Sequence, residues 1–252
     1  MRQQRPVDLV RYLIKELLMN QIHPTAVIGP DVKIGTGNTV GPYAVILGNT
    51  EIGNDNWIGP HVAIGAPGEI RGGDHPVLWD GSGNDATVRI GNQNIIREFT
   101  AIHSGKVAGT KIGNNCYIMN NSYIPHDGFL GNDVTISGSV MLGGHVNVLD
   151  GANLGMGVVV HQRLVIGERA MVGMGAVVTK DVLPYATVFG NPAKIQNVNK
   201  VGMERAGLSI ELIRELGDAL ISGDKKAMSN LVMDKMADFV NAIEVARGNG
   251  IR

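Results

Sequence analysis

Seven histidines occur in this chain of 252 residues, and three of them share an interval. His126, His145 and His161 fall at 0, 1 and 17 modulo 18. His103 joins them once a four-residue insertion that follows it is discounted. If the chain turns once every 18 residues, these imidazoles form a strip along one edge, about 5 Å apart per step. Imidazole takes up and gives back a proton near neutral pH. An aligned set is therefore a reaction groove, a metal site, or a chance alignment of surface polar residues. His126 is the candidate general base, and Asp127 beside it can set its charge state or orientation. Gly144, next to His145, can offer an unobstructed backbone N–H to a developing oxyanion. No Ser–His–Asp or Cys–His pairing is legible. The single cysteine, Cys116, occupies an inward small-residue slot and reads as a buried, inert thiol.

The interval of 18 comes from a repeat of six. Ile22, Ile28, Ile34, Val40, Ile46, Ile52, Ile58 and Ile64 are evenly spaced. The series resumes at Ile90, Ile96 and Ile102, then runs unbroken from Ile112 through Val178. All 23 positions are Ile, Leu or Val. Small or apolar residues recur four places later, as at Ala26, Val32, Ala44, Val62, Ala170 and Ala176. A six-residue unit is a short strand plus a bend, and three units close one triangular coil. Separate amphipathic strands would not hold one phase over twelve consecutive repeats. The fold expected is an all-β solenoid plus α: a parallel β-helix with a C-terminal helical extension.

Composition narrows the rest. Glycine is 35 of 252 residues and aromatics are 4%, so the core must be built from small and branched aliphatics. A net charge of −1 gives no footprint for nucleic acid or a membrane surface. No apolar run reaches membrane-spanning length, and MRQQRPVDLVRYLIKELL is too charged for a signal peptide, so the expected compartment is the cytoplasm. One cysteine excludes a disulfide framework.

Three regions depart from the repeat. Residues 1–20 form an N-terminal extension, helical over 7–18. Residues 21–190 are the β-helix, with loops at 67–89 and 103–111, and 191–252 form a C-terminal helical domain. Ser209 caps a helix carrying Leu212, Ile213, Leu216 and Leu220, and Gly223 ends it. A second helix carries Met228, Leu231, Val232, Met236, Phe239, Val240 and Ile243. Both are expected to cover the open end of the coil, where unpaired strand edges are a liability. The loop 67–89 carries Asp74, His75, Trp79 and Asp80, which can contact a polar ring.

The segments IHPTAVIGP, IREFTAIHSG, MNNSYIPHDGFLGN, GGHVNV, VVVHQ, FGNPA and VGMERAGLS, ending in GIR, occur in order over residues 20–252. The chain thus resembles the acyl-carrier-protein-dependent UDP-N-acetylglucosamine O-acyltransferases that begin lipid A synthesis. The resemblance implies a left-handed β-helix and a homotrimer with sites in the clefts between neighbours. It also implies an acyl-carrier-protein donor and a nucleotide-sugar acceptor, with no cofactor and no metal. On it, His126 is the base, Asp127 its acidic partner and Gly144 the oxyanion donor. His145 and His161 contact substrate, and Arg205 lies near the carrier- or phosphate-binding surface; the spacing alone adds His103 to the substrate-contacting strip. Met174 stands where the family sets acyl-chain length. Tyr123 replaces a family histidine three residues before the base. The loop 67–89 lacks the family's Asp-x-Lys element, and an extra N-terminal segment precedes the repeat.

The reaction expected is direct acyl transfer from a carrier thioester to a hydroxyl or amine of a sugar or nucleotide sugar, or of a different, non-nucleotide acceptor. Two alternatives use the same fold. One is a γ-carbonic-anhydrase-like zinc enzyme, a family that uses histidines five residues apart, a pair this chain lacks. The other is a catalytically inactive scaffold.

Overall fold

The computed structural model describes residues 19–72, 86–224, 226, 227, 230 and 233–247. The helix expected over 7–18, and Asp74, His75, Trp79 and Asp80 of the loop 67–89, lie outside these. The described chain winds as a parallel β-helix with three flat sheets. In the first sheet Gln21 lies opposite Thr39, one coil of 18 residues further on. The same step pairs Tyr117 with Thr135 and Thr135 with Asn153. Where the long loop intervenes, Trp57 pairs with Ile95, and across the short insertion Ile95 pairs with Tyr117. Both insertions fall at a corner, and the pairing on either side keeps its register apart from a local irregularity between Ile102 and His103.

Each strand of the coil is two to four residues, too short to stand alone, and is fixed by its neighbours above and below. The Gly41 N–H donates to the Ile58 carbonyl at 2.8 Å, and Gly59 repeats the bond to Ile96 at 2.8 Å. The aliphatic of each repeat points inward. Ile58, Ile96, Ile118, Ile136 and Leu154 are all completely buried and stack in one column. Each buried aliphatic side chain contributes roughly 1.5–3 kcal/mol. The stack loosens at its first coil, where Ile22 is 41% exposed.

A polar column runs inside this apolar one. Asn38, Asn56 and Asn94 are buried at corners of successive coils. The Asn56 amide nitrogen donates to Asn38 Oδ1 at 3.0 Å and to the Gly91 carbonyl at 2.9 Å. Its oxygen accepts from the Asn94 backbone N–H and side chain, each at 2.9 Å. The Cys116 N–H donates to Asn94 Oδ1 at 2.8 Å, and above Cys116 the column turns apolar with Val134 and Ala152. Cys116 is buried as expected, and burial pushes its thiol up to about 11, so it stays protonated and unreactive.

The C-terminal region differs in part from expectation. Strands Ala186–Phe189 and Lys194–Val198 form an antiparallel hairpin that adds to the first sheet after Met171–Val172. A short helix α1 (Lys200–Arg205) follows, capped by Asn199. Helix α2 (Ile210–Ser222) starts at Ser209, whose hydroxyl accepts from the Leu212 N–H, and stops at Gly223 in the left-handed conformation. It buries Ile213, Leu216 and Leu220 beside the hairpin, closing the end of the coil as expected. The last helix does not. Helix α3 (Met233–Arg247) lies along the side of the prism, where Phe239 and Ala246 pack on Val165. Val240, expected on its buried face, is half exposed, because the contact stripe runs through Met236, Phe239, Ile243 and Ala246.

The asparagine column yields a prediction. Asn56→Ala strands the Gly91 carbonyl and the Asn94 N–H in the interior and leaves Asn38 Oδ1 only the backbone N–H of residue 56. Chemical denaturation should show a loss of about 2–4 kcal/mol, at roughly 1–3 kcal/mol per buried polar group left unpaired. An effect no larger than that of Lys33→Ala, on an exposed strand face, would show that the column bears no load.

Candidate functional site

The three sheets meet at three corners, and each corner needs one residue with a left-handed backbone. At the corner between the second and third sheets those residues are Asp127, His145 and Arg163, with φ of 56°, 61° and 61°. Asp and His tolerate this region better than most side chains. The corner bonds lock successive coils together. The His145 N–H donates to the His126 carbonyl at 3.2 Å, and the Arg163 N–H to the Gly144 carbonyl at 2.9 Å. Asp127, His145 and Arg163 thus form one column, His126 and Gly144 the next, and His103 and His161 the third. The strip expected from the spacing is present, His103 included.

Within it, His126 Nδ1 lies 3.1 Å from Asp127 Oδ2. The Asp127 side chain is 0% exposed and that of His126 16%. Asp127 Oδ1 accepts backbone N–H bonds from Val107, Ala108 and Gly109 at 2.9, 2.7 and 3.1 Å. Burial raises the carboxyl, but the His126 contact and the Ala108 and Val107 amides outweigh it, so it sits below its ordinary value. The short insertion is therefore a cradle for a buried carboxylate. Its amides carry no side-chain signature, so sequence reasoning missed them.

Gly144 faces the opposite side of the imidazole. A Cβ at this residue would lie 2.6 Å from His126 Nε2, so any side chain would displace the ring. The Gly144 N–H makes no bond to protein among the described residues. The His145 ring meets His126 edge-on, centroids 5.0 Å apart. Burial depresses His145 against the pull of Asp127, and Arg163 adds to the depression, so His145 is held neutral. His161 is exposed, with Nδ1 3.2 Å from the Gln162 carbonyl. His103 meets Tyr123 edge-on at 5.1 Å, and its buried Nδ1 has no hydrogen-bond partner among the described residues. Burial also depresses His103.

The long loop begins on this edge. A Cβ at Gly68 would lie 2.7 Å from that of His126, so only glycine lets the chain cross here. Burial and then the neighbouring Glu69 carboxylate push the Tyr123 hydroxyl up, so Tyr123 is a proton donor to Glu69. Sequence reading did not single out Glu69. Two expected site residues stand apart. Met174 is 68% exposed at the corner between the first and second sheets, and Arg205 is exposed on α1 at the coil's end.

Potential ligand atoms of His126, Asp127 and His145 lie within 4.8 Å of one another. Yet one Asp127 oxygen is committed to three amides and the other to His126. That donor set suits holding an imidazole and moving a proton more than binding a metal ion.

A family model described as UDP N-acetylglucosamine O-acyltransferase, domain 2, matches residues 181–248. A bacterial transferase hexapeptide model of six repeats matches residues 19–48. The chain is 41% identical over 214 residues to the acyl-[acyl-carrier-protein]–UDP-N-acetylglucosamine O-acyltransferase of Myxococcus xanthus, covering 80% of this chain and 83% of that one. The chain belongs to this acyltransferase family. The Thermodesulfovibrio yellowstonii enzyme of the same name is 37% identical over 218 residues, 85% of this chain and 78% of that one. Among solved structures, Arabidopsis UDP-N-acetylglucosamine acyltransferase superposes with a TM-score of 0.65 at 28% identity, covering 90% of this chain and 92% of that one. LpxA from Acinetobacter baumannii gives 0.62 at 28%, covering 91% and 98%. The resemblance read from the ordered motifs is thereby established. No helix among the described residues of this acyltransferase is long and apolar enough to cross a membrane.

The buried carboxylate yields a prediction for this acyltransferase. Because Asp127 is depressed on folding, it contributes stability above its unfolded value of 3.8 and loses it as pH falls through the folded value. Asp127→Asn keeps an acceptor for the amides but removes the charge. Denaturant unfolding across a pH series should show the wild type losing its advantage over this variant as the solution is acidified. A constant difference would mean that the charge is not held by the fold.

Proposed function

We propose that this acyltransferase moves an acyl group from an acyl-carrier-protein thioester to a hydroxyl or amine of a nucleotide sugar of the UDP-N-acetylglucosamine kind. The observation that carries the reading is the line Asp127–His126–Gly144: a buried carboxylate, a partly exposed imidazole and an uncommitted backbone N–H. Asp127 holds Nδ1 protonated, leaving Nε2 free to take the acceptor's proton as its oxygen or nitrogen attacks the thioester carbonyl. The Gly144 N–H steadies the oxyanion of the tetrahedral intermediate. The intermediate collapses, the C–S bond breaks, and the carrier thiolate leaves with the proton returned from His126. His145, held neutral, and His161 orient the acceptor, with His103 and Tyr123 on the coils beside them. Arg205 serves the carrier. The loop 67–89, through Asp74 and His75, selects the acceptor. General-base help is worth about 10²–10⁴ in rate and one oxyanion donor about 10²–10³. His126→Ala should therefore reduce kcat by about a hundredfold or more with thermal unfolding nearly unchanged, since the ring contributes little to the core. Turnover within threefold of wild type, measured by mass spectrometry of the acylated sugar, would remove His126 from the base role.

A homotrimer is part of the same reading. The outward residues of the second sheet are Val27, Val45, Ala63, Ala101, Tyr123, Met141, Val159 and Val177, without one charge. Val159 is 45% exposed, a state that a neighbouring copy would relieve. The third sheet instead presents Lys33, Glu51, Arg89 and Lys111. The apolar sheet runs from the histidine corner to the Met174 corner, so Met174 reaches an acyl chain only in a groove shared between copies. Met174→Gly should then shift donor preference toward chains longer by several carbons, about 0.8 kcal/mol per CH₂ buried. An unchanged chain-length profile, or a monomer in sedimentation equilibrium, would rule out this role for Met174.

A further inference from the structure

The side-lying helix α3 ends at the catalytic corner. Its last turn places Val245 and Ala246 on a cavity of 70 Å³ that also touches Asp127, His145 and Lys111. The volume holds about two waters. Ala246 is 2% exposed. The helix is fastened at both ends: Lys235 to Glu168 at 2.7 Å, and Arg247 to Asp181. A third fastening links it to the site. Arg163, in the same corner column as Asp127 and His145, donates from Nη1 to the Ala246 carbonyl at 3.3 Å. The C-terminal end of a helix carries partial negative charge, so this is a natural seat for a guanidinium. The other two helices among the described residues pack beside the closing hairpin, so sealing the coil does not account for α3.

We propose that α3 is the back wall of the catalytic corner: its last turn, tied down by Arg163, closes the space behind Asp127 and so positions the His126–Asp127 pair. The wall acts in two ways. It restricts the water that would compete with the Val107, Ala108 and Gly109 amides for Asp127 Oδ1. It also gives the Arg163 charge a partner of its own. Without that partner, the guanidinium could swing past His145 toward Asp127, two coils below in the same column, and draw the carboxylate away from His126. Arg163, Val245 and Ala246 are positioning residues and touch no reacting atom. The inference rests on His126 and Asp127 being the reacting pair, but one of its readouts does not need turnover.

The test uses Arg163→Met, which keeps the aliphatic stem and removes the donor, with Arg163→Lys as the conservative rescue. Hydrogen exchange of the full-length protein should show faster exchange localised to the 107–109 amides and the last turn of α3. The same variant should lose kcat by about tenfold or more, as expected for a misplaced catalytic group, while both KM values stay within about threefold. Arg163→Lys should restore most of both. Unchanged exchange at 107–109 overturns the wall whatever the activity. A rise spread over the whole coil overturns it too, by making Arg163 a general stability residue. Wild-type protein that fails to acylate the sugar would instead overturn the acyl-transfer reading and leave the exchange result standing. To separate loss of the Arg163 donor from loss of the wall, Ala246→Leu pushes the last turn outward with Arg163 intact. It should give the same localised exchange, and its failure to do so would also overturn the proposal.

Discussion

Every feature of this molecule depends on one repeated interaction, the backbone bond from each coil to the coil above it in constant register. A carbonyl such as that of Ile58 accepts from the residue one coil below, and its own coil donates in turn to Ile96. Because the register does not drift, separation along the chain becomes height along the axis and position around a triangle. The inward aliphatics fall into columns for this reason, and so do the asparagines and the histidines. The asparagine column reinforces the register directly: each side chain bonds the backbone or side chain of the coils on either side, so a slip by one residue would break its bonds on both faces.

The same register builds the site. His126 and His145 are nineteen positions apart in sequence, yet the bond between the His145 N–H and the His126 carbonyl makes them neighbours. The carboxylate that steadies His126 is held from below by amides of the previous coil. Burial of Asp127 would be costly for an unpaired charge. Three N–H groups and an imidazole compensate that cost, and compensation at a fixed position is what makes the imidazole's position fixed.

Much of this was legible in the sequence because it is periodic. The solenoid follows from the phase of the aliphatics, and the histidine strip from arithmetic on that phase. The inert Cys116 follows from its slot, and the Ser209 and Gly223 caps from local chemistry. What escaped is aperiodic or carried by backbone. The cradle is made of N–H groups in a nine-residue stretch, HSGKVAGTK, whose side chains say nothing of it. The closing hairpin has only the Gly-Asn-Pro turn at 190–192 as a signal. The apolar stripe of α3 shows that it packs, but not on which surface, and so the open end seemed its natural seat. Glu69 is an unremarkable acid until the fold brings it beside Tyr123.

The two insertions at corners have a consequence for how such a protein changes over generations. Trp57 and Ile95 remain partners although 38 positions separate them, and Ile95 and Tyr117 although 22 do. The frame thus tolerates inserted or deleted segments of almost any length where the chain turns, while it punishes a single residue gained inside a strand. Heritable novelty is channelled to the corners, and the corner that takes both insertions is the one that carries His126. A lineage could rewrite the long loop many times over without moving His126, Asp127 or Gly144.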